Sequence, residues 1–256
     1  MKVGLGDVQA FWNEVPCNTT RSSLPVGSKE FFDDVEKKRY QLEQHIKPFA
    51  DFPAWKGKKV LEIGCGMGTD TMQFAKAGAA ITAVDYSTSS LELAEKRSKI
   101  YGLPVKFVHA DAEHLSDSLP KEIYDLVYSF GVLHHTPHPE NAYREITKYM
   151  GRNSIFKLMV YHSRSLKVLG VMLTCGPRKW REKVAYYSEQ REGSPVTFTY
   201  TKKEITTLLE KCGFKVDDVQ IRYLWMRWYL KWMPGPMLRW VERTFGWNLC
   251  VIASLE

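Results

Sequence analysis

Between Val60 and Asp70 the chain reads VLEIGCGMGTD, an apolar run broken by Glu62 and followed by Gly64, Gly66 and Gly68 at every second position. Glycines spaced in this way permit positive φ and let a ligand lie on the backbone without meeting a Cβ. A pyrophosphate cradle would read G-x-G-x-x-G and a P-loop G-x-x-x-x-G-K-[ST]; the stretch matches neither. Glu62 beside the loop disfavours phosphate and welcomes a cation, so the chemistry indicated is binding of a nucleotide-like ligand that carries positive charge. Two more acids can read a sugar and a base. Asp85, in ITAVDYS, can accept both ribose hydroxyls, and Asp111, in HADAEHL, can accept from an adenine amino group. Backbone groups of Ala112 and Glu113 lie beside the same ring. S-adenosylmethionine, with its sulfonium and α-amino group, answers this set of residues.

A second set can move protons. His134 and His135 stand in SFGVLHH, and Tyr161 and His162 follow the apolar run IFKLMV. A histidine there can act as a base near neutral pH. The alternative is that His134 and His135 only pack their loop against the cofactor. His134, His135 and His138 lack a carboxylate or cysteine at metal-ligand spacing, so no metal is expected.

These residues need a scaffold that presents strand ends side by side. KKVLEI (58–63), AAITAVD (79–85), PVKFVHAD (104–111), YDLVYSF (124–130) and SIFKLMVY (154–161) read as buried strands. Helical stretches fall between them, over GTDTMQFAKAG, STSSLELAEKRSKIYG and PENAYREITKYM. The alternation predicts an α/β fold with parallel βαβ units in a doubly wound sheet. Each acid or glycine singled out above falls at the carboxyl end of a strand. Residues 28–52 read as one amphipathic helix capped by Ser28, within an N-terminal helical cap segment (1–52). Residues 53–256 form the main domain, with 163–200 as an insertion on the substrate side. TKKEITTLLEKCG then has Thr201 and Glu204 at capping-box spacing and Gly213 as a stop. FKVDDVQIRY and NLCVIASLE complete seven strands.

Composition narrows the setting. The chain has 256 residues, a formal charge of +7 and a pI of about 9, which permits an anionic substrate, a nucleic acid or a membrane surface without choosing among them. Five scattered cysteines, Cys17, Cys65, Cys175, Cys212 and Cys250, suggest free thiols. No secretory signal or bilayer-length apolar run is visible, and the expected location is cytoplasmic.

Four motifs in order, VLEIGCGMGTD, VDYS, HADAEHL and YDLVYSFGVLHHTPHPENAYREI, resemble those of class I S-adenosylmethionine-dependent methyltransferases. The likeness is to the small-molecule group that includes ubiquinone- and menaquinone-biosynthesis-type enzymes (methyltransferase type 11). It covers 58–161 well and 200–256 more loosely. It implies a Rossmann-like, mostly parallel seven-stranded sheet with the last strand antiparallel, and S-adenosylhomocysteine as product. It also implies that Gly64, Cys65, Gly66 and Gly68 lie against the methionine and ribose, with Glu62 behind them. Asp85 and Tyr86 would hold the ribose, and Asp111, Ala112 and Glu113 the adenine. Phe130 would offer its carbonyl to the amino group, and Tyr40 would close over the methionine end. The family's proline-glycine-glycine turn before the fifth strand is replaced by KYMGRNS, which puts Gly151 and Asn153 forward as the positive-φ residues.

The methyl acceptor expected is small and hydrophobic or amphipathic. Residues 222–247 hold five of the chain's eight tryptophans. They read as a packed helix with Arg227 and Lys231 outward, as a wall for the acceptor, or as a peripheral membrane contact. A nucleic-acid methyltransferase would carry an Asn/Asp-Pro-Pro-aromatic motif where SFGVLHH stands, so nucleic acid is not the expected partner. A cofactor-binding subunit without its own turnover is the other alternative.

Overall fold

The computed structural model describes residues 4–14, 16–176, 180–188, 194–225, 230 and 232–256. The chain opens with α1 (Leu5–Glu14), a helix the sequence reading did not single out, and α2 (Lys29–Leu42). Ser28 starts α2 by accepting from the Phe31 N–H at 3.1 Å. α2 buries Phe31, Phe32, Val35 and Tyr40, and each fully buried phenylalanine contributes about 2 kcal/mol. The single helix expected over 28–52 is broken after Leu42. Pro48 has no N–H for the Gln44 carbonyl, and in a continuous helix its ring would strike that carbonyl. The chain restarts as α3 (Ile46–Ala50), where Pro48 lies in the first turn and no donor is missed. The Lys157 ammonium caps the far end, donating to the carbonyls of Phe49 at 2.8 Å and Ala50 at 3.1 Å.

The sheet follows: β1 (Lys59–Ile63), α4 (Thr69–Lys76), β2 (Ala80–Asp85), α5 (Thr88–Tyr101), β3 (Lys106–His109), β4 (Tyr124–Phe130), α6 (Pro139–Thr147) and β5 (Met150–His162). All five strands are parallel neighbours, with β1 between β2 and β4. After β5 come α7 (Leu166–Cys175), α8 (Trp180–Ser188), the two-residue β6 (Thr199–Tyr200), α9 (Lys202–Lys211), β7 (Phe214–Arg222), α10 (Gly235–Phe245) and β8 (Asn248–Leu255). The order is β3-β2-β1-β4-β5-β8-β7, with β6 paired to the end of β5. β8 is antiparallel to both neighbours. The seven long strands are therefore the expected doubly wound sheet with its last strand reversed, and β6 is a short addition. Thr201 and Glu204 form the expected capping box on α9.

One local expectation fails. Neither Gly151 nor Asn153 takes a positive φ. β5 starts at Met150 opposite Tyr124, and the register then slips to put Ile155 opposite Leu126. Ser154 bridges the slip with its hydroxyl, accepting from the Gly151 N–H at 2.8 Å and donating to the Tyr124 carbonyl at 2.5 Å. A bulge held by a side chain replaces the glycine turn. α7, begun by the Ser165 cap, and α8 lie between the carboxyl end of β5 and β6. Arg227 and Lys231 lie outside the described residues.

Strand alternation sends Leu61 and Ile63 to one face, under Tyr143 and Ile146 of α6 and Leu209 of α9. Val60 goes to the other face, with Phe49, Phe74 and Val168 of α3, α4 and α7. Because β2 and β3 lie to one side of β1 and β4 to the other, the sheet reverses direction between β1 and β4. Ligands in such sheets bind at that point, outside the carboxyl ends of the strands.

Candidate active site

Gly64, Gly66 and Gly68 all have positive φ, at 78°, 53° and 76°. Only the first is forced by packing: a Cβ on Gly64 would sit 2.3 Å from a Val132 methyl in the loop after β4. Gly64 thus lets the two loops of the switch point touch. At Gly66 a Cβ would meet nothing within 4 Å, so its side is open. The Gly66 N–H donates to Asp85 Oδ2 at 2.7 Å, and the Ser87 N–H donates to Oδ1 at 2.9 Å. Each Asp85 oxygen keeps a second lone pair for another donor. Burial pushes the Asp85 carboxyl up, and the bonds from Ser87 and Gly66 oppose that rise.

A cavity of about 1120 Å³, counting its mouth, opens beside this loop. Of the residues singled out from sequence, Glu62, Gly64, Cys65, Gly66, Asp85, Tyr86, Asp111, Ala112, Phe130 and His135 line it. Gly68, Tyr40, Glu113, His134, Tyr161 and His162 do not. Gly68 is the left-handed residue that opens α4. Tyr40 points its hydroxyl at Asp70 Oδ1, 2.8 Å away. The Glu113 carboxylate accepts from the His138 N–H at 2.7 Å, at the start of α6, where negative charge suits the helix end. Asp111, although on the wall, spends its oxygens on the Glu113 N–H at 2.9 Å and the His114 ring at 2.7 Å.

Residues that the sequence reading passed over complete the wall. α1 lays Val8, Gln9 and Trp12 across the cavity. It is tied down by the Ser87 hydroxyl, which donates to the Trp12 carbonyl at 3.0 Å, and by Gln9, whose amide donates to the Tyr86 carbonyl at 3.1 Å. Arg39 and Asp70 join at 2.9 Å, and Asp70 also accepts from Tyr128 at 3.1 Å. Burial works against the Arg39 charge, but Asp70 and Glu43 outweigh it and hold Arg39 above its usual range. Burial and then the Asp70 charge push Glu62 well above the usual carboxylate range, against a 2.6 Å bond from Thr71. Two buried carboxyls, Glu62 and Asp70, and one guanidinium, Arg39, thus share the cavity wall. Asp70 ended the quoted motif and could have been found there. Arg39 could not, because one arginine among many in a polar helix carries no signal.

The proton-moving candidates divide. His135 lines the cavity, edge-on to Trp12 with ring centroids 5.6 Å apart. Its Nδ1 lies 2.9 Å from the Val196 carbonyl, which can only accept, so Nδ1 carries a proton, and the Thr197 hydroxyl lies 3.1 Å from the same nitrogen. His134 is fully buried, 4.1 Å from the His135 ring and 4.0 Å from Tyr161, and burial drives it well below the usual histidine range. His162 donates from Nδ1 to the Gly246 carbonyl at 3.1 Å, and burial lowers it too.

Tyr161 belongs to a second, open cavity of about 1820 Å³ under α7. Its ring stacks on Trp247 at 4.2 Å, and Met159, Val171, Tyr223 and Trp225 extend the apolar wall. Arg21 and Glu43, paired at 2.7 Å, supply a polar side. The two cavities share Cys17, Asn18, Arg39, Phe130 and Gly131.

Residues 55–213 match a family described as a methyltransferase domain. Over 129 residues the chain is 30% identical to a ubiquinone biosynthesis O-methyltransferase of Proteus mirabilis (strain HI4320), covering 46% of this chain and 52% of that protein. It thus spans about half the length of that curated relative, and less of two others of the same kind. A tRNA U34 carboxymethyltransferase of Hydrogenovibrio crunogenus (strain DSM 25203 / XCL-2) is 28% identical over 265 aligned positions, covering 88% of this chain and 75% of that protein. The fold is shared with magnesium protoporphyrin IX methyltransferase from Synechocystis PCC 6803 with bound SAH, at a TM-score of 0.62 and 16% identity, covering 97% of this chain and 98% of that one. With the methyltransferase-domain match over more than half its length, this chain belongs to the class I S-adenosylmethionine-dependent methyltransferases.

Proposed function

We propose that the chain methylates a small hydrophobic or amphipathic acceptor, with S-adenosylmethionine in the first cavity and the acceptor in the second. The carrying observation is that the two cavities meet at Phe130 and Gly131. The residues present fit the cofactor. Glu62 and Asp70 suit its cationic amino and sulfonium groups, Arg39 its carboxylate, and Asp85 its ribose hydroxyls. A ligand with net positive charge would also favour the ionised form of Glu62.

When bound, the cofactor supplies a methyl group already activated on sulfur, for in-line displacement by the acceptor. The protein's part is then to align the partners and exclude water, which can be worth several kcal/mol of the barrier. Trp12 and Val8 of α1 cover the first cavity, and the Tyr161–Trp247 stack offers the second a flat apolar surface. His135, on the wall of the first cavity, is the base proposed for an acceptor that loses a proton. Tyr161 is the proposed positioning contact. The buried settings of His134 and His162 support packing roles.

The test is titration calorimetry with S-adenosylmethionine, S-adenosylhomocysteine and, as a control, NAD. We expect micromolar binding of the first two and none of NAD. Absence of binding by both would remove the cofactor assignment. Homocysteine release with panels of phenols, thiols, amines and lipids would then identify the acceptor class, and turnover only on RNA would overturn the small-molecule reading.

A further inference from the structure

α7, the residues around Trp225 and α10 carry large exposed apolar side chains, and the first two of these segments wall the second cavity. α7 buries Val168 and Val171 and leaves Leu169 and Leu173 outside, 49% and 79% exposed. They flank Gly170 and Thr174, which line the cavity together with Trp225, itself 53% exposed. Beyond it, Trp232 is 76% exposed, and α10 shows Met237 at 49% and Trp240 at 60% while burying only Val241. β5 and β7 end, and β8 begins, at one edge of the sheet, where Tyr161 and Arg222 both pair with Asn248. α7, which follows β5, residues 223–225, which follow β7, and the end of α10 therefore lie near the same edge.

The charge along α7 and α10 is mostly basic. Residues 163–176 contain Arg164 and Lys167 and no acid. On α10, Arg239 and Arg243 are exposed one turn apart, and the helix's one acid, Glu242, accepts from the Tyr223 N–H at 3.2 Å. A second copy of the chain docking on this face would set arginine against arginine. An anionic lipid surface answers both features at once, since tryptophan and leucine suit the boundary of headgroups and acyl chains while arginine suits the phosphates. No helix among the described residues is long and apolar enough to cross a membrane, so the contact is peripheral.

We propose that this face docks on an anionic bilayer, with Leu173, Trp225, Trp232 and Trp240 at the headgroup level, so that the second cavity opens toward the lipid. The inference does not depend on the catalytic reading. Its test is sedimentation of the full chain with vesicles of phosphatidylcholine alone or mixed with phosphatidylglycerol. We expect binding to the mixed vesicles that weakens as salt is raised. Leu173→Asn with Trp240→Ser, both at exposed positions, should reduce partitioning about tenfold or more, as should Arg239→Glu with Arg243→Glu. Unchanged circular dichroism would show that the variants fold. Failure to pellet with either vesicle, or pelleting indifferent to both double variants, would overturn the proposal. So would self-association in solution that the same variants abolish, because the face would then be a subunit contact.

Discussion

Asp85 shows how much one carboxylate can organise. It holds the Gly66 and Ser87 N–H groups and still has two lone pairs in the cavity. Asp85→Ala should weaken S-adenosylmethionine binding about ten- to a hundredfold, the range expected for loss of charge-assisted hydrogen bonds. Calorimetry that found unchanged affinity would take Asp85 out of the site. Gly64 has a different duty from the one its spacing suggested. Its missing Cβ serves the contact with Val132 as much as any ligand.

At the scale of elements, α2 is the brace of the site, because it carries Arg39 to Asp70 while Phe31 and Phe32 anchor it. Arg97, fully buried, locks α2 from behind. It pairs with Glu36 at 2.7 Å and donates to the Thr69 hydroxyl at 2.8 Å. The helix start depends on the Ser28 hydroxyl. Ser28→Ala should cost about 1 kcal/mol of stability, read as a lower urea midpoint at unchanged slope. An unmoved midpoint would mean that tertiary contacts alone hold the helix start. Residues 194–198 are fastened to the loop after β4, since the Phe198 N–H donates to the His134 carbonyl at 2.8 Å.

Over the whole molecule, acid should act partly through His45. Burial holds it down to about 4, and its ring lies 3.0 Å from the Asn248 amide between Tyr223 and Phe130. An unfolded histidine titrates near about 6.5. Between those values the unfolded chain binds a proton that the folded chain refuses. This contribution is therefore complete above about pH 6.5 and drains away toward pH 4, reaching about 3 kcal/mol at most. The buried acids Glu62 and Asp85, raised by burial, act in the opposite sense. The His45 part is best read as the gap between wild type and His45→Gln in denaturant midpoints, which should shrink as the pH falls through that window. A constant gap would remove His45 from the acid response.

The succession of strands along the chain, the loop at Gly64–Gly68 and the acids at strand ends were legible in the sequence. They follow from local rules: apolar periodicity, glycine at positive φ, and a ligand crevice at strand termini. The break at Pro48 was legible too, but helical periodicity on both sides obscured it. What only the tertiary structure decided was which side chains face inward. Glu113 and Tyr40 stand in or near motif positions yet turn to His138 and Asp70, because an unpaired helix end and a buried acid lay within reach. Arg39 and Trp12 come from helices outside the motifs, and no spacing rule links residues 39 and 70 or 12 and 135. Contacts between segments distant in the chain are set by how helices settle on the sheet. Local periodicity predicts each helix but carries no record of where it lands.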